Sequence, residues 1–296
     1  MTEENKNTSL DLLGVKPIGE AANAVVNKSL GGIEGFLKTV CVPALEEFGL
    51  MLRDKVRHWR LNNITRILDK AQGKLGFENE SLQMQAHPRV ALAIIENGSL
   101  NDNEEVQEMW AGLFASSCTK TGQDDENLIF VDLLKQLTVC EARILKFSCE
   151  SARKVLYENG LIVGDSLSID CKTLIEVSGI SEIHRLDREL DHLRSLELIG
   201  GGLGSGGFIA SDINLIADIT PTPLALNLYL KSQGHNTDPT FYWQANLITQ
   251  ADRNKEREEK EKEEMEKQKA EAEARRQETL AKQQSMQQQK SEESSN

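Results

Sequence analysis

The chain has 296 residues, 27% of them charged and 39% hydrophobic, with a formal net charge of −13. That balance argues against bulk nucleic-acid binding and fits an acidic protein long enough for two small domains and an appendage. Five cysteines (Cys41, Cys118, Cys140, Cys149 and Cys171) are odd in number and contain no CxxC pair, so buried thiols in a reducing compartment are expected rather than a disulfide or zinc framework. The opening residues, MTEENKNTSLD, lack the basic-then-apolar order of a secretory signal, and no apolar run approaches the roughly 18 residues of a membrane span. A cytoplasmic protein is expected, with peripheral contact at the inner membrane as an open alternative.

Residues 1–14 read as a flexible N-terminus and residues 15–137 as an all-α domain. Its first helix is rich in small residues (Gly19, Ala21, Ala22, Ala24, Gly31, Gly32, Gly35), which let another helix or a membrane approach closely. Val25, Val26, Ile33, Phe36, Leu37 and Val40 would form its apolar face, set either against a neighbouring helix or at a lipid surface. Pro43 cannot donate within a helix, so a break there and a second helix beyond it are predicted. The second helix carries Leu45, Phe48, Leu52, Val56, Trp59, Ile64, Ile67 and Leu68 on one side and base on the other. Arg53, Lys55, Arg57, Arg60, Arg66, Lys70 and Lys74 stand against Asp54 and Asp69, a net of +5 within an acidic protein. This stripe is the candidate interaction surface, suited to anionic headgroups, RNA or an acidic partner. The competing reading is a solvated face that pairs with its own carboxylates or with the acidic segment 102–108.

Pro88 opens a helix that Gly98 should stop, with Val90, Ala91, Ile94 and Ile95 on its apolar side. Asp102 is the expected N-cap of the next helix, with Glu105 at capping-box spacing. Val106, Met109, Trp110, Leu113 and Phe114 then share one face, and Trp110 is the expected core anchor, since burying such a ring contributes about 1.5–3 kcal/mol. A polar loop over 119–127 and a helix over 128–137 complete the domain.

Residues 138–232 change pattern: a helix over 141–157, a strand over 167–169, a helix over 172–177, a longer helix over 181–198, the glycine-rich GGLGSGGFIAS and a returning strand. The order resembles a winged helix, with Ile219-Thr220-Pro221-Thr222-Pro223-Leu224 where related folds close the wing. Residues 233–250 read as a linker, 251–284 as a single charged helix and 285–296 as a disordered tail. In the charged helix, Glu256 with Lys260, Glu258 with Lys262, Glu263 with Lys267 and Glu271 with Arg275 sit four apart, each pair worth about 0.2–0.5 kcal/mol. Met265, Leu280 and Met286 make no sustained coiled-coil seam.

Two patterns imitate active sites. Gly202-x-Gly204-x-x-Gly207 has dinucleotide-fingerprint spacing but follows a helix and precedes a strand, the reverse of the context that points amides at pyrophosphate. His184 and His192 lie about 12 Å apart along a helix axis, too far to share a metal. The acidic Asp124-Asp125-Glu126 reads as a solvated loop. Helix 182–197 has five acidic residues against Arg185, Arg188 and Arg194, and the wing has no base, so DNA binding is disfavoured. No metal ligand, cofactor site or catalytic residue is expected, and an enzyme is not.

Taken in order, LRDKVRHWRLNNITRIL, PRVALAIIENGSLNDNEEVQEMWAGLFA and LLKQLTVCEARIL resemble the Abi-alpha (abortive-infection alpha) family of bacterial phage defence. The likeness extends over about residues 15–232, with Gly112 standing where asparagine would be expected. It implies a mainly α fold, an N-terminal helical domain followed by a winged-helix-like module, while the long charged C-terminal helix, read from composition and charge spacing, has no counterpart in the family. It also implies participation in abortive infection or another phage-defence process, with no catalytic residues to carry over. The reading that follows is a non-enzymatic antiviral defence protein working through a protein partner or a second copy, with the small-residue helix and the basic stripe as an optional membrane-surface contact. The alternative is a winged-helix nucleic-acid-binding regulator.

Overall fold

The computed structural model describes residues 32–33, 35–45, 55–75, 84–204 and 215–293, without the side chains of 55–58 and 278–293. The expected flexible N-terminus, most of the small-residue helix and the tip of the glycine-rich loop lie outside the described residues, as do Phe48, Leu52 and Arg53. The described chain is mainly helical with short strands. Within 32–45, helix runs to Val40, yields at Cys41 and resumes at Val42 with Pro43 in its first turn, where a missing amide costs nothing. Ile33, Phe36, Leu37 and Val40 are all buried, and the Phe36 ring meets Phe114 at 5.8 Å, so these residues of the expected apolar face serve the protein core.

Four helices follow: α1 (Lys55–Lys74), α2 (Pro88–Gly98), α3 (Glu104–Ser116) and α4 (Leu128–Leu134). Trp59, placed by periodicity on the apolar side of α1, is 41% exposed, whereas Ile64, Ile67 and Leu68 are fully buried. Gly98 ends α2 without a left-handed turn. A side chain there would press on the Ile67 methyl at 3.3 Å and the Trp110 ring at 3.4 Å, so the glycine admits the indole. The α3 cap is Asn103, one residue beyond the expected Asp102, because its Oδ1 accepts from both the Glu105 and Val106 amides at 3.0 and 3.2 Å. Glu105 is thereby free to bond Arg143 at 2.7 Å.

Helix α3 is buried on nearly every side, Gln107 and Gly112 included, because α1, α2 and the later helices over Val139–Ser151 and Pro223–Ser232 all pack on it. Trp110 is fully buried, as its expected role requires. The loop after α3 is not wholly irregular: β2 (Cys118–Thr119) pairs antiparallel with β1 (Gln85–Ala86).

Helix α5 (Val139–Ser151) opens on a full capping box between Thr138 and Glu141. It ends six residues before the expected Tyr157, because Ala152 turns extended and β3 (Lys154–Leu156) pairs antiparallel with β4 (Ile162–Gly164). Gly160, at φ 84°, makes the intervening turn. Then come β5 (Ser168–Asp170), α6 (Cys171–Ser178), α7 (Ile183–Ser195) and β6 (Ile216–Asp218), which pairs antiparallel with β5. Helix α8 (Pro223–Ser232) is capped by Thr222 and starts on Pro223.

Residues 233–250 do not form the expected linker. They hold α9 (Pro239–Trp243), a 3-10 turn and β7 (Leu247–Thr249), which lies parallel against β3. Trp243 is buried in the core, so this stretch is fastened by packing as well as by strand pairing. From β7 the chain enters α10 (Gln250–Glu293), which runs past the expected end at 284 and through most of the expected disordered tail. One hydrophobic core extends from Ile33 to Trp243, so the change of sequence pattern at Leu137/Thr138 marks no gap in packing.

Candidate interaction surface

Of the four stripe residues whose side chains are described, Arg60, Lys70 and Lys74 are engaged with the protein itself. Arg53 lies outside the described residues, and Lys55 and Arg57 stand in the first turn of α1 with side chains outside the description. Arg60 donates to the Ser99 hydroxyl at 2.9 Å and the Glu96 carbonyl at 3.1 Å. Lys70 lies 2.7 Å from Glu108 and 3.6 Å from Glu104, and Lys74 lies 3.4 Å from Glu108. Burial alone would push the Glu108 carboxyl up, but the contacts with Lys70 and Lys74 hold it below the usual carboxylate range. The pairing of the stripe with the acidic start of α3 is therefore present, while Arg66 is exposed, as is the paired Lys74.

Beside Arg60 a buried polar network ties the basic helix to the turn before α3. The Asn63 amide donates to the Ser99 carbonyl at 3.1 Å, and Gln107 donates to the Asn101 carbonyl at 2.9 Å and toward Asn63 Oδ1 at 3.5 Å. Buried amides of this kind must be satisfied, so this network fixes the geometry of the NGSLNDN turn.

The imitation sites resolve into structure. Gly202 and Gly204 exchange backbone bonds with Asp218 and Ile216, placing residues 202–204 against β6, while Gly207 lies outside the described residues. His192 Nδ1 sits 2.6 Å from the buried Glu141, pointing to α5 rather than toward His184. Asp125 lies 3.8 Å from Arg89, and Glu126 bonds Lys231. Among the described residues no group of His, Cys, Asp and Glu is arranged to hold a metal. None of the described helices is long and apolar enough to cross a membrane.

Two clusters escaped sequence reasoning. At the root of α10, Asp165 accepts from Arg153 and Arg253, both at 2.7 Å, while Arg153 also reaches Glu256 at 2.8 Å. Burial raises the Asp165 carboxyl, but the Arg153 bond, the Ser166 amide and the Arg253 charge together hold it below its ordinary value. Beneath it lies Lys154, fully buried, donating to the Cys149 carbonyl with its Nζ 4.2 Å from the Trp243 ring centre. Burial pushes its ammonium pKa down. Tyr229 stacks on Trp243 at 5.7 Å and donates to Glu150 at 2.8 Å. The available signal was faint: a lysine beginning an apolar triplet, and a Trp in a segment otherwise read as linker.

Residues 60–205 match the family model described as abortive infection alpha. Neither the curated proteins nor the solved structures gave a match. The matched segment contains most of α1, the polar network, Trp110, the α5 capping box and α7, the order of elements on which the resemblance rests. Residues 60–205 of this chain belong to the abortive infection alpha family.

Proposed function

We propose that the protein is a non-enzymatic component of phage defence that acts by protein contact, with α10 as the surface offered to its partner. Membership of an abortive-infection family supplies the biological setting. The observation that carries the mode of action is α10 itself, a 44-residue helix whose side chains from Arg257 to Gln277 are all exposed. It lies beyond the family match and, among the described residues, is fastened to the body at its base. Engagement of Arg60, Lys70 and Lys74 by internal partners weighs against the α1 stripe as the main docking surface.

The test is the plating efficiency of phage on cells expressing the full chain or a chain lacking residues 258–296, with tryptophan fluorescence reporting that the body remains folded. Loss of restriction with a folded body supports the reading, and undiminished restriction overturns it. Flotation with anionic vesicles, repeated with Arg57→Glu and Arg60→Glu, tests the membrane variant. The winged-helix regulator has the order α5, β5, α6, α7, β6 in its favour. Its charge is unfavourable, since Arg185 lies 3.5 Å from Glu189 and Arg194 lies 2.6 Å from Asp191. Steeply salt-dependent DNA affinity would restore it.

A further inference from the structure

We infer that α10 is a free-standing rigid strut, a single helix that supports itself and holds the C-terminal end of the chain about 55 Å beyond Glu256, at 1.5 Å per residue. This inference goes beyond the reading of α10 as a contact surface, because it concerns the mechanics of the helix and is tested by distances rather than by phage restriction. Most helices owe their stability to a buried face, and an isolated helix in water is ordinarily marginal. Among the described residues α10 has no such face beyond its root: Arg257 to Gln277 are exposed throughout, Met265 included. Its support is internal instead. Glu256, Glu258, Glu263 and Glu271 each stand four residues before a Lys or Arg, the favourable sense of pairing along the helix dipole, and Arg257 sits 3.8 Å from Glu261 in the reverse sense. A second copy has nothing to bury against it, because the large apolar residues Met265, Leu280 and Met286 follow no three-and-four spacing.

The strut is also aimed. Strand β7 joins it to the sheet through parallel pairing with β3, and Thr249 caps its first turn by accepting from the Asp252 amide at 3.1 Å. Arg253 and Glu256, one turn apart on the same side, are tied to Asp165 and Arg153. A swivel at the base would have to break these bonds together.

The experiment uses the full chain with two spin labels introduced as noncanonical residues at Asn254 and Ser285, read by pulsed dipolar spectroscopy. A continuous helix places the two positions about 46 Å apart, whereas a flexible chain of that length gives a broad distribution near about 30 Å. A narrow peak at the longer distance, with a monomeric mass in sedimentation, supports the strut. A broad short distribution overturns it, as does a mass that doubles with concentration. In the variant Lys260→Glu/Lys262→Glu/Lys267→Glu the favourable pairs become repulsive, and the peak should broaden and shorten. An unchanged narrow peak in that variant would overturn the claim that the charge pairs support the helix.

Discussion

Replacing Gly112 by alanine sets helix propensity directly against packing. Within a helix, alanine is favoured over glycine by about 0.5–1 kcal/mol, so propensity alone predicts a more stable protein. In the structure, however, a Cβ on Gly112 would lie 1.7 Å from the Ser232 carbonyl oxygen, 2.3 Å from its carbon and 3.0 Å from the Gln233 nitrogen. These are backbone atoms at the end of α8, which cannot rotate away, so the helices must part by more than an ångström. Overpacking of a dense core costs about 1–3 kcal/mol and sometimes more, which outweighs the propensity gain. A net destabilisation of about 1–2 kcal/mol is expected for Gly112→Ala. Gly73→Ala is the matched control, because no atom lies within 4 Å of its Cβ position, and it should stabilise by about 0.5–1 kcal/mol. Urea unfolding followed by tryptophan fluorescence reads both, since Trp110 and Trp243 are buried in the body. A Gly112→Ala protein as stable as the parent would refute the close approach of α3 and α8.

Trp110→Ala should cost about 3–5 kcal/mol, because a fully buried indole leaves a cavity that the surrounding helices cannot fill. A loss below about 1 kcal/mol in the same urea assay would remove Trp110 as the core anchor. Asp165 is held below its ordinary carboxylate value, so its contribution is present above the unfolded pKa of about 3.9 and is lost as pH falls through the folded value. Asp165→Asn should therefore be less stable at pH 7 by about 1 kcal/mol and indistinguishable from the parent near pH 2, measured by thermal melts across that range. Lys154 is shifted the other way for a base: the unfolded chain binds its proton more tightly, so stability rises with pH from the lowered value up to about 10.4. Lys154→Met should flatten that alkaline rise, and an identical slope in the two proteins would show that Lys154 does not titrate there.

The helices that bury a face were legible in the sequence. Val106, Met109, Trp110, Leu113 and Phe114 are spaced as a helix demands, and each is buried. What local pattern could not show was why Gln107 and Gly112 are buried as well: Gln107 bonds toward Asn63 on α1, and Gly112 meets the end of α8, more than a hundred residues away. Lys154 to Leu156 was read as helix because three residues carry too little periodicity, and the parallel partner that makes them a strand lies at Leu247–Thr249. The basic stripe illustrates the same limit in electrostatics. Its charge was countable, but the carboxylates of Glu104 and Glu108 that occupy Lys70 and Lys74 arrive from another helix. The capping box at Thr138 and the start of α8 at Pro223 are each settled within a single turn, the range over which local sequence can carry such a signal.

The contact between Gly112 and the end of α8 separates the limit of family likeness from the limit of folding. The matched segment stops at residue 205, yet α8 beyond it supplies Ala225, Leu226, Leu228 and Tyr229 to the core, and Trp243 lies farther still. A fragment cut at the edge of the match would leave α3 with a naked flank and Lys154 without its indole roof. The smallest piece that can stand as a folded body therefore closes after Thr249.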